Sequence, residues 1–285
     1  MQIKTPVRPS SSWTWRIWQD KPFLTCNLIP QPHGFFTRHF HPLAPEDLVR
    51  ILRHPKDAVA NSVAEAAVYR VKQVHSGNVL MPAEIESIRA AGLPQSEDGS
   101  LVPFPLADGL VSDRPWQSVW ACSADCTPAL ISDIVTGRVA AVHAGWRGTA
   151  QKIVPAAVTR MLEQGSELSN ISVALGPAID GSVYQVMHDV AAKVGASIVS
   201  ERDGLEESLL AQLMAMKNPP VLSDQRAGRV RLDVRRVNQT QLEQMGLAVE
   251  QIAIAPHCTF QEPENFFSYR RTGAKQVQWA GIISS

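Results

Sequence analysis

Apolar residues recur along this chain with two different periods, and the switches between them predict an alternating order of helices and strands. Residues 46–53 (EDLVRILR) and 57–70 (DAVANSVAEAAVYR) place apolar side chains three and four apart, the spacing of one helical face. Residues 70–75 (RVKQVH) and 229–234 (RVRLDV) alternate instead and predict strands. Alternation at 13, 15 and 17 suits a short strand within residues 1–32. That Pro-, Trp- and Ser-rich stretch otherwise reads as a surface arm whose Trp13, Trp15 and Trp18 pack back onto the body. Residues 33–45 are loop-like, and 90–107, with three Pro and two Gly, form an irregular loop or insertion. Three apolar runs, QSVWACSA from 117, PALISD from 128 and RVAAVHA from 138, predict strands, the last two joined by a turn at 134–137. Helices are expected over 150–164, 186–198, 205–217 and 235–246, with Pro155 near the first turn of its helix or kinking it. ISVALGP (171–177) and EQIAIAP (250–256) are strands ending in Pro-containing turns, a faint sign of internal duplication, and an apolar strand closes the tail 266–283. No linker divides the chain, so the pattern predicts a layered, mixed α/β fold in one domain.

Composition narrows the function. The 285 residues carry 27 basic and 27 acidic side chains, with 45% hydrophobic and 19% charged positions, as in an ordinary soluble globular protein. A zero formal charge argues against a nucleic-acid binder, which would show a basic excess. No stretch approaches the ~18–20 apolar residues of a membrane span, and the first residues lack the apolar core of a secretory signal. Four Cys in a chain this long are no disulfide framework, so a cytoplasmic protein with reduced thiols is expected. A multicopper cluster consumes roughly ten imidazoles. With eight His and a single His-x-His, at His39 and His41, copper of that kind is disfavoured, whereas one mononuclear site fits.

The segment 123–149 carries the clearest chemistry. A hairpin turning about Ile134–Val135 would set Cys126 opposite His143 at its open end, with Cβ atoms roughly 4.5–5.5 Å apart. A thiolate with imidazoles is a zinc-type donor set. His75, closing RVKQVH before Ser76-Gly77, is the best third ligand, and three protein ligands would leave a fourth position for water. The plain alternative makes Cys126 and His143 buried strand-end residues. Cys122 is a weaker ligand candidate, since period two would also place it in the core. The H-x-E…P-C-x-x-C deaminase signature and the G-x-S-x-G elbow are both absent. His33, His39 and His41 read as a solvated loop that could cap the site, and His257-Cys258 as packing. In Gly145-Trp146-Arg147-Gly148, Arg147 could clamp a phosphate and Trp146 could stack on a base or plug the core. Arg38 and the pair Arg270-Arg271 are further anion contacts or plain surface ion pairs.

Together these segments resemble the YfiH-like, laccase-domain or polyphenol-oxidase-like family. The matching elements are GFFTR (34–38), KQVHSG (72–77), ADGLVSD (107–113), SADCTPALISD (123–133), VAAVHAGWRGT (139–149), ALGPAI (174–179), LDVRRVNQTQL (232–242), CTF (258–260) and FFSYRR (266–271). The resemblance implies a layered α/β/α/β domain over 33–285 behind an arm at 1–32. It implies a zinc site of His75, Cys126 and His143, and purine-nucleoside chemistry: phosphorolysis of adenosine, inosine, guanosine or methylthioadenosine, with deamination of adenosine. Relatives are also linked to peptidoglycan editing. The chain departs from the family after Arg38, where His39-Phe40-His41-Pro42 stands, at Ser182-Val183-Tyr184-Gln185-Val186, and in the 90–107 insertion. Substrate choice is the property these changes affect.

The expectation is therefore a zinc-dependent purine nucleoside phosphorylase with adenosine deaminase activity. Its partners are a nucleoside and phosphate, with no nucleic acid or membrane. Asp125 would shuttle protons, and Arg147 with Arg38 would hold phosphate. The rivals are a Cys–His hydrolase or amidase acting on a cell-wall precursor, with Cys126 as nucleophile and His143 as base, and a non-enzymatic scaffold with closed, structural zinc.

Overall fold

A computed structural model describes residues 13–53, 66–93, 103–199 and 206–285. The first part of the chain supplies β1 (Trp13–Trp18), β2 (Lys21–Cys26), β3 (His33–Phe36), α1 (Pro45–Leu52), β4 (Ala67–Tyr69), β5 (Val79–Leu80) and α2 (Pro82–Ala91). The middle supplies β6 (Gly109–Val111), β7 (Gln117–Ser123), β8 (Thr127–Asp133), β9 (Val139–Ala144), α3 (Trp146–Ala150), α4 (Ile153–Glu163) and β10 (Ile171–Leu175). There follow β11 (Gln185–Met187), α5 (His188–Gly195), α6 (Glu206–Met214), β12 (Val221–Ser223), β13 (Arg229–Leu232) and α7 (Val234–Gln244). The chain closes with β14 (Ile252–Ile254), α8 (Tyr269–Thr272) and β15 (Gln278–Ile283).

Two mixed six-stranded sheets stack face to face. The first runs β1-β2-β3-β15-β7-β4, the second β14-β10-β8-β9-β6-β5. The central strands β7, β8, β9 and β10 are buried along both faces because each sheet is covered twice, while the edge strand β1 is partly exposed. Along β9, Val139 and Ala141 enter the layer between the sheets, while Ala140 and Val142 meet Ile153, Val154, Ala157 and Met161 of α4. On the far side of the first sheet, Phe36 and Trp120 pack on Leu48, Val49 and Leu52 of α1. The fold is thus mixed α/β in one compact body, as expected. The layers run helix, sheet, sheet, helix, with the two sheets adjacent and not alternating with helices. A three-stranded sheet, β11-β13-β12, forms a satellite core with α5 and α6. Among the described residues no helix is long and apolar enough to cross a membrane.

Several local expectations change. Residues 13–32 contribute β1 and β2, and Leu24, Leu28 and Ile29 enter the inter-sheet core. His33–Phe36, expected as loop, is a buried strand paired with β15. Within 57–70, Ala67–Tyr69 is a strand parallel to β7; 57–65 lies outside the described residues, as do 94–102 within 90–107. RVKQVH is an extended connection holding one bridge, Lys72 to Leu106, and no strand. The region expected as one helix from 150 divides into α3 and α4 around Lys152, which sits at φ 57.

The β8–β9 hairpin matters most. Its register pairs Pro128 with His143, two positions from the expected partner Cys126. The turn is centred one residue later because the Asp133 carboxylate accepts from Val135 N and Thr136 N, and Gly137 takes φ 72 to close it. A shift of two preserves the face, so Cys126 becomes the diagonal neighbour of His143 on the same side.

Candidate metal centre

His75, Cys126 and His143 come together where the inter-sheet core meets solvent. Their ligand atoms all lie within 4.8 Å of one another. Cys126 Sγ is 4.0 Å from His75 Nε2, and the two imidazoles meet edge to face with centroids 4.8 Å apart. Exposure grades across the group: His75 is exposed, Cys126 half-buried and His143 buried. Gly145 backs it at close range. A Cβ there would stand 2.9 Å from Cys126 Sγ and 3.1 Å from His75 Cδ2, so only glycine lets the backbone pass.

A residue absent from the expected site organises it. Asp108, buried just before β6, accepts Val74 N, His75 N and Ser76 N at 3.1, 2.9 and 2.6 Å, and the Ser76 hydroxyl at 2.8 Å. Its Oδ1 also meets His143 Nδ1 at 2.9 Å, and its carbonyl accepts His143 N at 2.7 Å. The carboxylate therefore pins the loop that carries His75, at φ 61, and turns the Nε2 of His143 away toward the other ligands. In sequence, Asp108 stands within ADGLVSD without any ligand-type spacing to mark it.

Electrostatics favour ionised groups despite burial. Burial alone would raise the Cys126 thiol, but the His143 charge and hydrogen bonds from His143 and His75 bring it down to about 6. Burial would lower His143, yet the Cys126 thiolate and Asp108 lift it to about 9. Asp108 is held down to about 2, since hydrogen bonds from His143 and Ser76 outweigh its desolvation. A thiolate and two imidazoles, one fixed by a carboxylate, suit a zinc-type ion.

Other expected residues lie elsewhere or do other work. Asp125, at φ 98, turns its carboxylate onto the Thr259 hydroxyl at 2.6 Å, the Ser268 hydroxyl at 3.0 Å and Arg270 N at 2.7 Å. Arg38 donates to the Pro263 carbonyl and lies 4.8 Å over Phe267; none of these contacts is with the triad. Cys122 is not in the ligand group, and burial pushes its thiol up to about 12. His33 accepts Cys26 N at Nε2 and faces the Gln31 carbonyl at Nδ1, a neutral core histidine and not part of a solvated loop. His39 is exposed and His41 packs edge-on against Phe267. His257 pairs with Glu262, and Cys258 Sγ accepts Asp180 N. Arg271 donates to the carbonyls of Thr259, Phe260 and Phe266. Arg147 lies 4.4 Å over the Trp146 ring, and Trp146 packs on the satellite core.

The family described as "Multi-copper polyphenol oxidoreductase laccase" matches residues 49–284. A purine nucleoside phosphorylase of Synechocystis is 49% identical over 274 residues, 95% of this chain and 97% of its own length. An adenosine deaminase of an unknown prokaryotic organism is 28% identical over 201 residues, covering 69% of this chain and 71% of its own. Among solved structures, YlmD of Geobacillus stearothermophilus shares the fold with a TM-score of 0.69 at 24% identity, covering 97% of this chain and 99% of that one. Matched by that family over residues 49–284, this chain belongs to the laccase-domain family.

Proposed function

We propose that the protein is a zinc-dependent purine nucleoside phosphorylase that also deaminates adenosine. The observation that carries this reading is the convergence of His75, Cys126 and His143 on one point with an open, exposed side. No fourth ligand joins them among the described residues, which favours a reactive centre over closed, structural zinc. Eight histidines, with His33 committed to the backbone, fit one ion better than a multicopper cluster. Zinc held there would supply a Lewis acid and make water acidic near neutral pH.

In phosphorolysis, a phosphate oxygen attacks the anomeric carbon of the ribose while the bond to the purine nitrogen breaks. The base leaves with a proton, and the sugar leaves phosphorylated. Arg147, stacked on Trp146, would hold the phosphate, its planar guanidinium matching two oxygens at once. Arg38, tied to Pro263 and Phe267, is the weaker of the two expected contacts. Asp125, with three donors on its carboxylate, anchors the segment 259–270 beside Cys126 and is a poor proton carrier. In deamination, water replaces the exocyclic amine and ammonia leaves. The test is metal-loaded protein with inosine or adenosine and phosphate. Free base and phosphorylated ribose are expected; with neither these nor inosine formed, the reading fails.

One feature favours a second reading. The thiolate–imidazolium pair of Cys126 and His143 is also what a cysteine hydrolase needs. Zinc would mask that thiolate, so metal should protect Cys126 from iodoacetamide. Equal alkylation with and without zinc would favour the hydrolase.

A further inference from the structure

Among the described residues, two arginines of the segments flanking the triad have no acidic partner. The guanidinium of Arg147 rests on Trp146, and that of Arg270 lies 4.8 Å over Tyr184 and donates to the Gln185 carbonyl. Among the described residues neither forms an ion pair with a carboxylate within 4.0 Å. Both are exposed, and both are attached to residues that build the metal centre. Arg147 follows the Gly145 that backs Cys126, and Arg270 is anchored by its backbone N–H to Asp125, next to Cys126. The half-buried Tyr184, under the Arg270 guanidinium, packs on the same satellite core as Trp146 and lies within the field of Cys126, Arg270, Asp125 and Arg147. Burial, then the Cys126 charge, push its phenol up to about 12, so it remains a hydrogen-bond donor at neutral pH. Stacking fixes the plane of each guanidinium, which reduces the entropy lost when its fork closes on an anion.

We propose that Arg147, Arg270 and the Tyr184 hydroxyl form the binding site for a tetrahedral oxyanion, inorganic phosphate, beside the metal centre. Arg270 thereby takes the role that the sequence pattern gave to Arg38. The inference rests on the phosphorylase reading for its use, but the binding itself does not depend on turnover. Asp125 accepts Thr259, Ser268 and the Arg270 backbone N–H on its oxygens, and none of these contacts is with the Arg270 guanidinium.

The experiment measures phosphate binding to metal-loaded protein by calorimetry without nucleoside, then steady-state kinetics with inosine and phosphate varied separately. Arg147→Gln, Arg270→Gln and Tyr184→Phe are compared with Arg38→Gln, and circular dichroism confirms folding of each. Loss of one charge-assisted contact should weaken phosphate binding roughly 10–100-fold in Arg147→Gln and Arg270→Gln. Tyr184→Phe should lose less, and Arg38→Gln the least. The phosphate KM should rise in parallel, with the inosine KM little changed. Wild-type protein that does not bind phosphate overturns the proposal, as do folded Arg147→Gln and Arg270→Gln variants that bind it normally. If phosphate binds as described and no base is released, the site stands and the phosphorylase reading falls.

Discussion

Asp108 joins both histidine ligands through one carboxylate, so a single-atom change there should disturb both. In Asp108→Asn an amide nitrogen must face the loop N–H groups or His143. Zinc affinity is expected to fall roughly 10–100-fold, measured by competition with a chromogenic chelator. A folded variant with wild-type affinity would remove Asp108 from this role. His33 gives a separate pH signal. Burial lowers it to about 4, against 6.5 for an ordinary histidine, so the unfolded chain takes up this proton first. Its contribution to stability is complete above the ordinary value and is lost as pH falls from there toward 4, to an extent of about 3 kcal/mol. Urea unfolding of the wild type and His33→Gln across that window should show a shallower pH slope in the variant; equal slopes would refute the assignment. The three members of the candidate metal group were legible in sequence because Cys and His declare their chemistry by type. Asp108 was not, since its partners at 74–76 and 143 are joined only by the fold.

Strands buried on both faces announce themselves as apolar runs, which is why β7, β8, β9 and β10 were readable from composition and turns alone. The weaker elements were decided by pairing. Ala67–Tyr69 carries helix-favouring neighbours yet lies parallel to β7, tertiary pairing overriding local preference. RVKQVH alternates but finds no neighbour beyond one bridge, because Asp108 takes the backbone N–H groups from Val74 to Ser76. Local pattern also misplaced the hairpin turn, whose centre depends on Asp133 folding back on Val135 and Thr136. The junction of β9 and α3 offers the sharpest test at this scale. Gly145→Ala adds one methyl against Cys126 and His75. It should leave the thermal transition within a few degrees while cutting bound zinc well below one equivalent, as read by atomic emission. Full metal content in the variant would show that the loop yields.

At the scale of the molecule, the metal group ties the His75 loop to the β8 entry and the end of β9. An ion bound only by the folded state stabilises it by mass action, about 4 kcal/mol at a thousandfold excess over Kd. Zinc should therefore raise Tm by roughly 10 °C, and Cys126→Ser should abolish the shift; an equal shift in the variant would mean the ion binds elsewhere. The first sheet closes around β15, where Gly281 lies opposite Trp120 and a Cβ would stand 2.3 Å from the indole. Gly281→Ala should cost roughly 1–3 kcal/mol by overpacking, seen as a lower urea midpoint; an unchanged midpoint would show that the indole can shift. The place of β15 also bears on the order of events at the ribosome. It is a central strand, hydrogen-bonded to β3 on one side and β7 on the other, yet residues 278–283 are translated long after both. A nascent chain stalled before Gln278 would hold the first sheet as two unpaired halves, β1-β2-β3 and β7-β4, with a slot between them, a natural client for chaperones.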